Sequence, residues 1–133
     1  MAESLPSEFE DLFQKKAFGH LATLMPDGQP QSTPVWIDRE GQNVSINTTS
    51  DRQKLENIER DPRVSVSIQD PEDPYRYLEV RGRVVETSKA DADEQIDRLA
   101  QRYLGKDRYP WRADGEERVK ILIAPEHFTS MNA

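Results

Sequence analysis

The segment Arg63 to Asp70, RVSVSIQD, alternates apolar and polar residues without interruption. A period of two is the signature of a strand with one buried face and one wet face. The same pattern recurs in Gly19 to Met25 (GHLATLM), in Asn43 to Thr49 (NVSINTT, with Val44 and Ile46 apolar) and in Tyr77 to Thr87 (YLEVRGRVVET). Turn residues separate these runs. Pro26-Asp27-Gly28 leads into a strand over Pro30 to Asp38 (PQSTPVWID), and Glu40-Gly41-Gln42 leads into NVSINTT. Gly82 inside the fifth strand predicts a bulge or a close backbone approach. Val119 to Ile123 and His127 to Ser130 predict one or two closing strands.

Three segments carry helical spacing instead. Over Ser7 to Lys16, Phe9, Leu12 and Phe13 share a face and Ser7 is the expected cap. In DRQKLENIER, Leu55 and Ile58 share a face, Ser50 with Gln53 matches a capping box, and Asp61-Pro62 sets the end. Lys89 to Leu104 places Ala92, Ile96, Leu99, Ala100 and Tyr103 near a 3.6-residue period, with Gly105 as the stop. The result is about six strands and three helices in a chain of 133 residues, which fits one domain. Sequential antiparallel strands with helices inserted favour a barrel, because closure removes exposed sheet edges.

Composition excludes several chemistries. The chain contains no cysteine, so disulfides, thiolate metal sites and a cysteine nucleophile are ruled out, and His20 and His127 alone cannot build a histidine-rich metal centre. With 25 acidic and 18 basic side chains, the net charge of −7 repels nucleic acid and anionic membranes at long range. The N-terminus lacks a basic segment followed by an apolar stretch, and no apolar run approaches ~18 residues. A cytoplasmic protein with no membrane contact is expected. No Ser-His-Asp arrangement, Walker loop or GxGxxG is present.

Three places can carry chemistry. In TTSDRQKLENIERDPR, Thr48 and Thr49 end a strand at a helix N-terminus, and Arg52 and Lys54 can neutralise a phosphate there, as a fork and a point charge. The alternative is a solvated helix surface in which Glu56 pairs with Arg52 and Arg60. In QSTPVWID, Ser32 and Thr33 precede Pro34, which cannot donate to a ladder, so freed backbone groups beside Trp36 suit a flat heteroaromatic ring. The alternative is a core tryptophan. In DPYRYLEVRGR, Tyr75 and Tyr77 interleave with Arg76, Arg81 and Arg83, which suits stacked bases or an acidic tail, or else an exposed face paired with Glu79 and Glu86.

The succession GHLATLMPDGQPQSTPVWID, NTTSDRQKLENIERDPRVSVSI and DPYRYLEVRGRVVE resembles the split-barrel flavin-binding superfamily related to pyridoxamine 5′-phosphate oxidase, and within it the branch that uses the deazaflavin coenzyme F-420. The resemblance implies a six-stranded antiparallel Greek-key split β-barrel with peripheral helices, forming a homodimer with a cofactor in each cleft between subunits. By similarity Arg52 and Lys54 would bind the cofactor phosphate with Asn57 nearby. Thr33, Pro34, Val35 and Trp36, with Thr48, Thr49 and Ser50, would line the ring and ribityl chain, and Tyr75 to Tyr77 would complete the cleft from the other subunit. The implied activity is hydride transfer between F-420 and a small conjugated acceptor. Gln53, Leu55 and Glu56 stand where the family often carries further basic residues, which keeps FMN, with its single phosphate, as the alternative cofactor of a reductase or oxidase. A non-catalytic flavin- or tetrapyrrole-binding protein is the other alternative. The vitamin-metabolising oxidases extend further at the C-terminus, so pyridoxamine phosphate oxidation is not expected.

Overall fold

Every run of alternating residues becomes a strand, and all pair antiparallel in one sheet. The computed structural model describes residues 4–132. Its strands are β1 (Phe18–Leu24), β2 (Pro30–Trp36), β3 (Asp38–Glu40), β4 (Asn43–Thr49), β5 (Arg63–Gln69), β6 (Tyr77–Ser88) and β7 (Arg118–Met131). They lie in the order β2-β1-β5-β6-β7-β4-β3. The helices are a 3-10 turn over Ser7–Phe13, α1 (Gln53–Arg60) and α2 (Ala92–Leu104).

That order forces closure. The two edges of the sheet, β2 and β3, are joined by the single residue Ile37. Three consecutive Cα atoms span no more than ~7.6 Å, so the first and last strands must stand side by side and the sheet must roll. No β2–β3 ladder forms, and the barrel is split at that point. The sequence pattern predicts one strand over Pro30 to Asp38, six in all. The chain instead turns from one edge to the other at Ile37, which is fully buried, and seven strands result. The mainly β, split-barrel class stands.

The apolar residues of the alternating runs fill the barrel. Leu21, Val44, Ile46, Val66, Ile68, Leu78, Val80, Ile121 and Ile123 are all buried in one cluster, closed at its ends by Phe9, Leu12 and Phe13 and by Leu55 and Ile58 of α1. β7 is buried on both faces from Val119 to Ile123. Its inner face joins the core, while Lys120 and Leu122 belong to the outer face that α2 covers. α2 buries Ala92, Gln95, Ile96, Leu99, Ala100 and Tyr103 and ends at Gly105, whose φ of 69° needs glycine.

Two capping expectations fail. The Ser7–Phe13 segment is 3-10, with Pro6 at its N-cap and no side-chain cap, because seven residues are too few to propagate an α-helix and packing of its three apolar side chains sets the geometry. α1 starts after Arg52, and no side chain caps it, so Ser50 and Gln53 form no capping box. Its end at Asp61, in extended geometry before Pro62, is as expected.

Candidate functional site

The split leaves a cleft of about 270 Å³ where the end of β2, the end of β4, the start of α1, α2 and the segment before β7 converge. Pro34, Val35 and Trp36 form one wall, and Thr48, Thr49, Arg52 and Lys54 another. Seven of the eleven candidates from the sequence thus meet in one place. They fall in two short runs on opposite sides of the seam, and the turn at Ile37 brings the runs together.

The cationic end is built by α1. Lys54 is only 9% exposed, yet its ammonium makes no hydrogen bond or ion pair with any described residue. Burial, and then the neighbouring charge of Arg52, hold its pKa below that of an ordinary lysine. Arg52 is exposed at the mouth, Glu56 and Arg60 are exposed too, and neither arginine pairs with Glu56: Arg60 instead donates to the Leu24 carbonyl and to Asn57 Oδ1. Free N–H groups of the uncapped first turn add partial positive charge at the same end. Asp51 offsets part of it. Its carboxylate accepts a 2.6 Å hydrogen bond from Thr49, which with Arg52 and Arg118 nearby lowers its pKa.

The other end is aromatic. Trp36 is half-buried, stacked on Tyr103 with centroids 5.0 Å apart and planes 4° apart, and met edge-on by Tyr109 at 5.9 Å. Tyr109 in turn meets Trp111 edge-on at 5.7 Å. Trp36 is therefore neither a core residue nor free on both faces. Phe18, Tyr109 and Trp111 line the cleft, and Trp111 is 62% exposed.

Four candidates lie elsewhere. Asn57 is fully buried, donating to Thr23 Oγ1 at 2.9 Å and accepting from Gln53 at 2.9 Å, so it ties α1 to β1. Ser50 is exposed beside the mouth, with its backbone N–H on Glu117 O at 2.9 Å. Thr33 sits next to the wall residue Pro34, and its hydroxyl is buried without a partner. Tyr77 starts β6 opposite Gln69 and Met131 and does not line this cleft within its own chain. Its neighbour Arg76 is held by Asp11 at 2.9 Å and Asp70 at 2.8 Å, while Arg81 leans on Glu79 and Arg83 on Glu126, each at 3.4 Å.

Sequence reasoning missed Asn47, Tyr109, Trp111 and Arg118, all of which line the cleft. The signal for Arg118 is its place at the head of the closing strand, opposite Thr49 in register. Tyr109 and Trp111 fall in an irregular stretch whose path no periodicity reports.

A rolled antiparallel sheet, split at one seam and carrying a cleft with an aromatic wall and an unpaired cationic end, places the chain in the split-barrel class of folds. Within that class the chain belongs to the pyridoxamine 5′-phosphate oxidase family, whose sequence profile matches residues 5–132. Among solved structures it is similar to an F420 reductase, with 37% identity and a TM-score of 0.82 over 94% of this chain and 98% of that one. It is also similar to a conserved hypothetical protein from Mycobacterium tuberculosis, with 26% identity and a TM-score of 0.73 over 97% of this chain and 85% of that one. HupZ of Group A Streptococcus shares the fold at 22% identity and a TM-score of 0.70, covering 96% and 94%. No curated protein matches. Among the described residues no helix is long and apolar enough to cross a membrane, and no cluster of ligating side chains suits a metal.

Proposed function

We propose that the cleft binds the deazaflavin coenzyme F-420 and that the protein is an oxidoreductase serving a small conjugated acceptor. The observation that carries this reading is Lys54, a buried ammonium without an acidic partner that lines a cleft with Arg52 beside it. A buried, unpaired charge is costly, and an anionic ligand removes the cost. When bound, such a ring supplies hydride chemistry of its own. The chain supplies position. Arg52 and Lys54 hold the phosphate, Pro34 to Trp36 set the plane of the ring, Thr48 and Thr49 offer hydroxyls between the two, and Phe18, Tyr109 and Trp111 keep water from the acceptor side. Similarity to the F420 reductase supports the choice of coenzyme.

FMN is the second reading, because its one phosphate can be neutralised by Arg52 and Lys54 alone. In either case we propose one cytoplasmic split-barrel domain acting as a homodimer, with Tyr75 to Tyr77 closing the partner's cleft.

Side-by-side titration with F-420 and FMN, followed by fluorescence quenching and anisotropy, decides between them. Micromolar or tighter binding of F-420 alone is expected, and preference for FMN would move the protein to the second reading. Binding of neither would overturn both. Arg52→Ala with Lys54→Ala is expected to weaken the preferred ligand by ~2–4 kcal/mol.

A further inference from the structure

Directly paired residues share a sheet face, so Arg118 opposite Thr49 and Lys120 opposite Asn47 all stand on the side covered by α2. There Arg118 is set in a frame. Its Nε donates to Asn47 Oδ1 at 2.8 Å, its guanidinium lies over the Tyr109 ring at 4.9 Å, and Nη1 faces Glu116 Oε1 at 3.3 Å. Nη2 has no partner among the described residues. The amide of Asn47 cannot flip, because its Nδ2 is fixed by Ala92 O at 2.7 Å and Gln95 Oε1 at 3.0 Å, and a carbonyl can only accept. Gln95 is 2% exposed, and its own Nε2 is spent on Ser45 Oγ at 2.6 Å and Asp38 at 3.2 Å. A directed chain of amides thus runs from the interior of α2 to one arginine at the rim of the cleft.

We propose that Arg118 is a third ligand-binding cation, taking an anionic group of the bound molecule from the head of β7, beside the end of β4, and that Gln95 positions it through Asn47. The proposal rests on the cleft being a ligand site. The competing role for Arg118 is a plain ion pair with Glu116. The shortest approach in that pair, 3.3 Å, is longer than a good charge-assisted bond, and Glu116 Oε2 is buried without any hydrogen-bond partner. A satisfied structural pair would engage both oxygens. An arginine steadied on its Nε and on its face, with Nη2 unpartnered, is instead preorganised for an incoming anion.

The test measures affinity for FMN and for F-420 in the wild type, Arg52→Ala, Arg118→Gln, Gln95→Met and the Arg118→Gln/Gln95→Met double variant, with thermal unfolding alongside. Arg118→Gln is expected to weaken binding by about tenfold or more, the loss of one charge-assisted contact. Gln95→Met should weaken binding in the wild-type background and add nothing once Arg118 is gone, whereas its loss of Tm should be the same in both. Glu116→Gln, which removes the competing carboxylate, should tighten binding severalfold. If Gln95→Met does not fold, Asn47→Ala interrupts the same chain and carries the same expectation. Wild-type affinity in Arg118→Gln while Arg52→Ala binds poorly would overturn the proposal and leave the cleft reading standing. A Gln95→Met affinity loss that persists without Arg118 would overturn the positioning role, and no binding of either molecule by the wild type would overturn both readings together.

Discussion

A buried ammonium with no acid beside it is a cost that the folded chain carries without its ligand. Lys54→Met keeps the stem and removes the charge, so urea unfolding at pH 7 should show the variant more stable by about 1 kcal/mol or more, although it binds ligand less well. The pH dependence has a definite sign. Because the folded pKa lies below the unfolded value near ~10.4, the unfolded chain binds more protons in between, and wild-type stability rises with pH through that window. The advantage of Lys54→Met should therefore be full below the lowered folded pKa and vanish above the unfolded one. A variant less stable than wild type at pH 7 would contradict an unpaired Lys54. Arg52 and Lys54 were legible because strand, hydroxyl, helix start and cations follow one another in the chain. Arg118 was not, because only the β4–β7 register brings it to the cleft, and neither was Gln95, which reaches Asn47 only through the packing of α2. Gln95 breaks the apolar face of a helix, a sign that could have been read as a buried polar contact.

Elements were easier to read than their seams. β4 matches the segment expected from its alternation, and β1, β5 and α2 do so within a few residues at each end. The break at Ile37 has no local signal, since it is imposed by closure of the sheet. Gly82 was legible and is needed: a Cβ there would collide with the Ala124 carbonyl where β6 and β7 change register. Gly82→Ala should cost about 2–4 kcal/mol in denaturant unfolding, since backbone rather than a mobile side chain must give way. The 3-10 turn is held by a clasp that sequence spacing does not show. Arg76 lies 4.8 Å over Phe9, pairs with Asp11 at 2.9 Å and with the buried Asp70 at 2.8 Å, and Lys15 reaches the same carboxylates at 3.1 and 3.3 Å. Removing Arg76 leaves Asp70 with Lys15 and the Glu72 backbone N–H as its remaining partners, so Arg76→Met should destabilise by about 1–2 kcal/mol at pH 7. The Arg76 hydrogen bond is the largest cause holding the Asp11 pKa at about 2. A depressed carboxylate stabilises above its unfolded value of ~3.9 and loses that contribution as pH falls through its folded value. The gap between wild type and Arg76→Met should accordingly be widest at neutral pH and shrink between pH 4 and about 2. A gap independent of pH would assign Arg76 a packing role only.

At the scale of the molecule, the barrel closes itself but not its cleft. Phe18 is 48% exposed and Trp111 62%, both at the rim, and Val85 and Met131 are 59% and 49% exposed on β6 and β7. Covering them gains ~25 cal/mol per Å² of apolar surface, which a second copy can supply twice over in a symmetric contact. Light scattering at micromolar concentration should then report twice the 15.3 kDa chain mass. Sharing of the cleft makes a sharper demand. A chain carrying Arg52→Ala and Lys54→Ala spoils its own cationic end but can still offer Tyr77 to a partner, whereas Tyr77→Ala spoils only what it offers. Each variant alone should bind ligand poorly. Mixed in equal amounts and allowed to exchange subunits, half of the dimers would be mixed, each with one intact cleft, so about a quarter of all clefts should recover wild-type affinity. Recovery at that level requires that one subunit's Tyr77 complete the other's cleft. A dimer showing no recovery would confine the site to one chain, and a monomer that binds ligand with full affinity would remove the partner from the site altogether.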